Sequence, residues 1–218
     1  MKNEARKYGY ISAGLLAAFA FWTAVLSTVD VQAIGPRGSS VGFATLNGFA
    51  HNITGVHMWL YTITDWLGLV PIAVALGFAI LGLVQWICRR NIVRVDRNIL
   101  ILGLFYIVVI AAYLFFEVYV VNYRPVLIAG YLEASYPSST TMLVMCVMPT
   151  AMMQFHRRIR NKFLNRFVLL AIAAFIAFMV IGRLVSGVHW VTDVVGGILI
   201  STGLVILYIY FVKLAEGL

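Results

Sequence analysis

The sequence is poor in charged residues. Only 11% of its 218 residues are Asp, Glu, Lys or Arg, whereas 62% are hydrophobic. A soluble domain is typically about a quarter charged, so this chain has too few polar groups to cover a surface that faces water. The shortage excludes an ordinary soluble globular protein and predicts that lipid surrounds most of the molecule.

Cysteine is scarce as well. The two cysteines, Cys88 and Cys146, lie within or at the ends of apolar runs, and we expect them to pack as apolar residues rather than to form a disulfide or a metal site. The net charge of +8 does not indicate nucleic-acid binding. The cations form short clusters between apolar runs and make no continuous basic face.

Long apolar runs are what the sequence has in abundance. A hydrocarbon core needs about 20 residues of helix, and six runs come close to or exceed that length: 9–33, 67–88, 98–121, 138–155, 167–185 and 190–212. They predict an all-α fold, an integral-membrane bundle of six transmembrane helices that forms one domain over residues 1–218. The segment 34–66 mixes aromatic and small polar residues and predicts one or two short helices in the outer interface, with His51 and His57 as interfacial polar residues.

The distribution of cations predicts the orientation. Thirteen of the 16 Lys and Arg residues fall before the first run or after the second, fourth and sixth runs. By the positive-inside rule this side is cytoplasmic, so both termini are expected inside a multi-pass protein of the plasma membrane. The cations left on the outer side are Arg37, Arg124 and Arg183.

Three outer stretches are rich in reactive side chains. They are "EVYVVNYRP" at 117–125, "YPSSTT" at 136–141 and "GRLVSGVHWVTD" at 182–193. The predicted topology brings two arginines, a hydroxyl-rich helix start and a His/Asp pair to the same side of the bilayer.

The last stretch contains a candidate nucleophile. His189 and Asp193 are four residues apart at the predicted start of a helix, so they would share a face. A carboxylate one turn from a histidine can accept a hydrogen bond from one ring N–H. That contact fixes the tautomer and leaves the other nitrogen free to attack or to take a proton.

The other groups suit an anion. Arg124 and Arg183 carry planar guanidinium groups, each able to hold two phosphate oxygens. A helix that begins at the Pro-Ser-Ser turn offers free backbone N–H groups, and Ser138 and Ser139 add hydroxyl donors. The set predicts a phosphate site where His189 could attack phosphorus.

Each group also has a purely structural interpretation. Ser138 could be a helix N-cap, the two arginines could be anchors that reach the headgroups, and His189 and Asp193 could form a local hydrogen-bonded pair. Charged residues near membrane depth are energetically costly and usually functional, so their convergence on one side favours the phosphate site.

The spacing Arg183-x5-His189-x3-Asp193 resembles the third signature of the type 2 phosphatidic acid phosphatases, which are integral-membrane relatives of the vanadium haloperoxidases. That signature is Ser-Arg-x5-His-x3-Asp, and Gly182 stands here in place of the serine. The resemblance also covers the six-span arrangement.

The other two signatures match in part. Arg124-Pro125 resembles the end of the first signature, Lys-x6-Arg-Pro, with Glu117 at the lysine position. Pro137-Ser138 resembles the start of the second, Pro-Ser-Gly-His, with Ser139 and Thr140 in place of the glycine and histidine.

The resemblance implies a role for each matching residue. His189 would be the nucleophile and form a phosphohistidine, with Asp193 orienting it. Arg124 and Arg183 would bind the phosphate together with Ser138 and the backbone at Ser139. It implies no metal or other cofactor. The implied substrates are lipid phosphates such as phosphatidic acid, phosphatidylglycerol phosphate or a polyprenyl diphosphate, which would reach the site from the outer leaflet.

The two departures leave three functions open. Thr140 cannot supply the acid that protonates a leaving oxygen. A partly buried Glu117 could stay protonated and act as acid, or it could simply repel phosphate. The chain could therefore be a lipid phosphatase, a lipid phosphotransferase that uses the same histidine, or a catalytically degenerate protein that binds lipid phosphates. The oligomeric state is left open.

Overall fold

The protein is all-helical in its computed structural model, which describes residues 2–216. The described residues form eight α-helices, two short 3-10 turns at Pro36–Gly38 and Ile92–Arg94, and a few isolated β-bridges. The α-helices are α1 Lys2–Leu26, α2 Ala44–Thr54, α3 Met58–Leu67, α4 Leu69–Arg89, α5 Arg97–Val118, α6 Ser139–Arg158, α7 Lys162–Val185 and α8 Val191–Glu216.

Within the described residues, five segments are long and apolar enough to cross a membrane: Glu4–Leu26, Met58–Arg89, Arg97–Val118, Lys162–Val185 and Val191–Glu216. They correspond to five of the six predicted spans. The sixth, predicted at 138–155, is a helix of 20 residues, but α6 is not apolar enough to be counted with the others.

Helix α6 is polar because it is packed inside the bundle. It contacts α4, α5, α7 and α8, and its polar side chains find partners there. Gln154 donates a hydrogen bond to the hydroxyl of Tyr208 at 2.6 Å, and Thr150 donates to backbone carbonyls of its own helix. A helix whose surface faces protein does not need the apolar composition that a lipid-facing helix needs.

The segment 34–66 differs in part from the prediction. It does contain two short helices, α2 and α3, but α3 continues into α4 through Gly68, whose φ and ψ of −59° and −19° are helical. The second span therefore begins at Met58 rather than near residue 67. The first span also ends earlier than predicted, at Leu26, because the chain then turns and Gln32 pairs with Val41.

Helix α8 is the centre of the bundle and positions the loop 119–138. It packs against α1, α5 and α6. At Gly196 a side-chain carbon would lie 2.4 Å from the ring of Tyr136, so only glycine lets that ring rest on the helix. The close approach brings the end of the loop to the first turn of α8, beside Asp193.

Candidate active site

His189 lies in the tight turn between α7 and α8 and is only 3% exposed. The turn passes through Gly187, whose φ of +68° is a conformation that favours glycine. The Nε2 atom of His189 is 3.3 Å from a terminal guanidinium nitrogen of Arg124, which is itself 7% exposed. The predicted nucleophile and one predicted phosphate ligand are therefore in direct contact.

Asp193 does not contact His189 directly, contrary to the prediction. The hydroxyl of Ser135 lies between them, 3.0 Å from Nδ1 of His189 and 2.5 Å from Oδ2 of Asp193. The reason is the helix start: α8 begins at Val191, so His189 precedes it and is not one helical turn from Asp193. The carboxylate instead accepts from the backbone N–H of Trp190 at 3.0 Å.

Two further contacts fix this arrangement. Asn122 donates from Nδ2 to Oδ1 of Asp193 at 3.3 Å. The backbone carbonyl of Asn122 accepts from the backbone N–H of Ser135 at 2.9 Å. All three residues are buried. Sequence reasoning missed Ser135 and Asn122, because they belong to no signature and only the fold of the loop brings them to Asp193.

Arg183 lies in the last turn of α7 and is 1% exposed. Its guanidinium carbon is 5.0 Å from the ring centre of Tyr61, and that of Arg124 is 5.9 Å from the same ring. Both distances are within the range of cation–π attraction. Tyr61, which belongs to the segment 34–66 predicted to lie in the outer interface, thus contacts both predicted phosphate ligands through one ring.

Each arginine also has a carboxylate partner. Nε of Arg124 is 3.1 Å from Oε2 of Glu133, close enough for an ion pair but not aligned as a hydrogen bond. A terminal nitrogen of Arg183 is 3.6 Å from Oδ1 of Asp65. Among the described residues the buried Nε atoms of both arginines find no hydrogen-bond acceptor.

The arginines line a cavity of about 610 Å³. Its wall is formed mainly by polar residues, which are Tyr61, Asp65, Tyr113, Glu117, Tyr123, Arg124, Glu133, Ser139, Thr140 and Arg183, with Val120, Leu132 and Ala134. Among the described residues, 2–216, His189 is not one of those that form this wall. Arg124 links the two, since it both lines the cavity and contacts His189.

Ser138 is the N-cap residue of α6, as its structural interpretation predicted, and it is not among the described residues that line the cavity. It is fully buried, its backbone N–H donates to the carbonyl of Asp193 at 3.0 Å, and its hydroxyl accepts from Thr141 at 3.0 Å. This residue joins the start of α6 to α8, and the cavity wall receives Ser139 and Thr140 instead.

Glu117 also differs from the expectation. It lines the cavity but is exposed rather than partly buried, because it lies in the last turn of α5, just before that helix ends at Val118. The partial burial on which the expected acid role of Glu117 rested is therefore missing. Thr140 lies on the same cavity wall, so both departures from the family signatures face the space beside the arginines.

The electrostatic environment keeps His189 neutral. Burial lowers the pKa of His189 well below its ordinary value of 6.5, and the positive charges of Arg124 and Arg183 lower it further. A neutral imidazole keeps a lone pair on one nitrogen, which is the form that can attack an electrophile or accept a proton.

The family is decided by a comparison that matches more than half of the chain. The family model of the PAP2 superfamily matches residues 98–216. The chain belongs to the PAP2 superfamily. This confirms the resemblance to the type 2 phosphatidic acid phosphatases drawn from the three signatures, all of which end inside the matched region.

The similarity in fold extends beyond the residues that the family model matches. The chain is similar to the crystal structure of the first transmembrane PAP2-type phosphatidylglycerolphosphate phosphatase from Bacillus subtilis, with a TM-score of 0.63 and 18% sequence identity, over 95% of this chain and 97% of that one. No curated protein matches the chain. The similar fold and the five apolar segments make this PAP2 protein a multi-pass membrane protein.

Proposed function

We propose that this protein is a membrane lipid phosphatase that hydrolyses a lipid phosphate or a polyprenyl diphosphate through a phosphohistidine on His189. The observation that carries the proposal is the contact between Nε2 of His189 and the guanidinium of Arg124, which lines the cavity. A nucleophilic nitrogen beside a phosphate-binding group is the geometry that attack on phosphorus requires.

The arginines form the phosphate site of this proposal. A phosphate in the cavity would accept from Arg124 and Arg183, whose buried Nε atoms have no other acceptor among the described residues. The backbone amide of Ser139 begins α6 and adds a donor at a helix N-terminus. Binding requires the guanidinium of Arg124 to turn from His189 toward the substrate, which leaves Nε2 facing phosphorus.

The reaction has two displacement steps. In the first, Nε2 of His189 attacks phosphorus, a P–N bond forms, and the bond to the lipid oxygen breaks. The leaving oxygen keeps the electron pair and takes a proton from water in the cavity, since the hydroxyl of Thr140 is too weak an acid to protonate it directly. In the second, the hydroxide left by that proton transfer attacks phosphorus and forms a P–O bond, the P–N bond breaks, and the neutral imidazole recovers its electron pair as inorganic phosphate leaves.

The location of the site suits a substrate held in the bilayer. The cavity lies at the end of the bundle where α3 begins, α5 and α7 end and α6 begins. By the positive-inside rule this is the outer face of the plasma membrane, with both termini in the cytoplasm. The relative with a similar fold is named as a phosphatidylglycerolphosphate phosphatase, so we place that lipid first among the substrates to be tested.

The proposal is tested with a panel of lipids. Purified protein in detergent is assayed for phosphate release from phosphatidic acid, phosphatidylglycerol phosphate and a polyprenyl diphosphate. We expect the turnover of His189→Ala to fall by more than about 100-fold, because the variant lacks the nucleophile and cannot form the phosphohistidine. The matched control is His57→Ala, since His57 is an exposed histidine at the start of α3. Full turnover by His189→Ala contradicts the proposal.

A second candidate is favoured by the ion pairs. Both arginines have carboxylate partners, and two residues of the family signatures are replaced. These features suit a catalytically degenerate protein that binds lipid phosphates without hydrolysing them. Binding of a labelled lipid phosphate without release of phosphate, and without transfer of label to an acceptor lipid, would favour it. Transfer to an acceptor would identify a phosphotransferase.

A further inference from the structure

We propose that Ser135 is a positioning residue which selects the tautomer of His189 by transmitting the orientation of the Asp193 carboxylate to the imidazole ring. This inference rests on the proposed function, because it concerns the same histidine. It differs from the direct His–Asp contact that the sequence predicts, since a serine from a different loop is interposed.

The geometry gives the serine hydroxyl two partners. Its oxygen is 2.5 Å from Oδ2 of Asp193 and 3.0 Å from Nδ1 of His189. A hydroxyl has one proton to donate and lone pairs to accept with. A carboxylate can only accept, so Ser135 donates to Asp193 and must accept from the ring. The only donor that the ring can present there is an N–H at Nδ1.

This chain of hydrogen bonds leaves Nε2 without a proton. Nε2 faces the guanidinium of Arg124, which can only donate, so both neighbours of the ring favour the same tautomer. The imidazole is neutral in this environment, and its free lone pair lies on Nε2, the nitrogen that contacts the cavity-lining Arg124. Ser135 and Arg124 therefore act on opposite sides of the ring to expose one nucleophilic nitrogen.

The direction of the serine proton depends on Asp193. That carboxylate is fixed by the backbone N–H of Trp190 at 3.0 Å and by Asn122 at 3.3 Å. The serine itself is fixed by its backbone N–H, which donates to the carbonyl of Asn122. With the three side chains of Ser135, His189 and Asp193 no more than 3% exposed, bulk water has little access to replace these bonds.

A serine that only filled space would not affect the tautomer. The test therefore measures it directly, by 15N NMR of protein labelled on histidine, in detergent and at a pH where His189 is neutral. The chain has four histidines, and comparison with His189→Ala assigns the signal of His189. We expect the wild-type protein to carry its proton on Nδ1, with Nε2 unprotonated.

Three variants separate positioning from packing. Ser135→Ala removes the relay, and we expect mixed tautomers, kcat lower by about 10- to 100-fold, as for other groups that orient a histidine, and KM changed by less than about twofold. Ser135→Thr keeps the hydroxyl and should restore both the tautomer and kcat. The matched control is Ser201→Ala. Ser201 is a fully buried serine in the middle of α8 that donates to the backbone carbonyls of Gly197 in its own helix and of Met142 in α6.

Each outcome decides the inference. A wild-type His189 that carries its proton on Nε2 overturns it without any variant, so poor folding of Ser135→Ala leaves the test intact. Wild-type kcat and tautomer in Ser135→Ala overturn it as well. Because the NMR measurement needs no substrate, it stands even if His189→Ala keeps its activity, in which case the proposed function fails alone.

Discussion

The side chains of Arg124 and Glu133 form an ion pair on the cavity wall, with Nε and Oε2 separated by 3.1 Å. The loop 119–138 supplies both residues, and the backbone N–H of Arg124 also donates to the carbonyl of Glu133 at 3.0 Å. A phosphate that binds Arg124 must compete with this carboxylate. The ion pair therefore weakens substrate binding if the proposed function is correct.

We expect Glu133→Gln to lower KM for a lipid phosphate. The glutamine removes the competing charge and keeps the shape, and the backbone hydrogen bond does not depend on the side chain. Because Glu133 is partly exposed to solvent, the effect should be about two- to fivefold, the size of an exposed ion pair. The measurement is KM in a phosphate-release assay, together with inhibition by inorganic phosphate.

The control for this variant is Glu4→Gln. Glu4 is also an exposed carboxylate in a loose ion pair, 3.9 Å from Lys213, but it lies in α1 and outside the cavity wall. The KM of Glu4→Gln should equal that of the wild type. A higher KM for Glu133→Gln would mean that Glu133 assists binding, for example by accepting from a hydroxyl of the lipid headgroup.

The pH dependence of the reaction follows from His189. The neutral imidazole is the active form, and burial together with the two arginines lowers the pKa of His189 well below 6.5. The neutral form therefore persists as pH falls through 6.5, and activity is lost only at lower pH. We expect the acidic limb of kcat/KM, which reports groups of the free enzyme, to lie below pH 6.5.

Removing a positive charge should move this limb. Arg183→Gln deletes a charge that lowers the pKa of His189, so the limb should shift to higher pH although the overall rate also falls. Arg37→Gln removes an arginine that is exposed and bonded only to a backbone carbonyl, and its limb should stay in place. An acidic limb above pH 6.5 in the wild type would contradict the described environment of His189.

The sequence predicted the parts of the site that follow from topology and spacing. Arg183 lies in the last turn of α7, and Arg124 and His189 lie in the loops at that same end of the bundle, which the alternating charge clusters are enough to predict. The contacts that depend on the fold of loop 119–138 were not predictable. Ser135 and Asn122 are small polar residues without a spacing that marks them. They reach Asp193 from a loop that rests on α8 where Tyr136 contacts Gly196.

Burial was the property that sequence reasoning estimated least well. Hydropathy predicted α6 as a span like the others, yet its polar residues are paired inside the bundle. Glu117 was expected in a partly buried position because the family signature places it beside the phosphate. It is exposed, since α5 ends just after it. The first difference comes from the helices that surround α6, and the second from the place where α5 ends, and no local pattern records either.

The turn before His189 should tolerate no side chain at Gly187. Its φ is +68°, and a side-chain carbon there would lie 1.8 Å from the backbone oxygen of Gly55. The adjacent Ser186 also accepts a backbone hydrogen bond from His57, so the turn is docked on the α2–α3 connection. We expect Gly187→Ala to destabilise the protein by about 1–3 kcal/mol and to lower activity, as measured by thermal unfolding in detergent and by phosphate release.

The matched control is Gly77→Ala. Gly77 lies within α4, where a side-chain carbon would meet nothing within 4 Å. Alanine is the better helix former by about 1 kcal/mol, so this variant should be neutral or slightly more stable. Equal unfolding temperatures for the two variants would show that the turn at Gly187 is not constrained by the α2–α3 connection.

The final prediction concerns the two residues that depart from the family signatures. Glu117 and Thr140 line the same cavity as Arg124 and Arg183, so changes at both positions act on a bound phosphate. Because Glu117 is exposed, we expect it to repel phosphate rather than to serve as the acid. Glu117→Gln should then keep or slightly raise turnover, and Glu117→Lys combined with Thr140→His should raise it further.

The physical basis is the charge balance and the missing acid. The lysine would replace an anion by a cation at the wall that binds phosphate, and the histidine would provide a group that can protonate the leaving oxygen. Acid–base assistance typically contributes about 10²- to 10⁴-fold, so a gain of at least about tenfold in kcat is expected from the double variant with a lipid monophosphate. The single variant Thr140→His adds the acid without changing the charge at position 117, so comparing its kcat with that of the double variant separates the two contributions. If the double variant folds and binds lipid but shows no gain in kcat, the two replacements are not what weakens the site. If Glu117→Gln loses turnover, Glu117 is the acid after all.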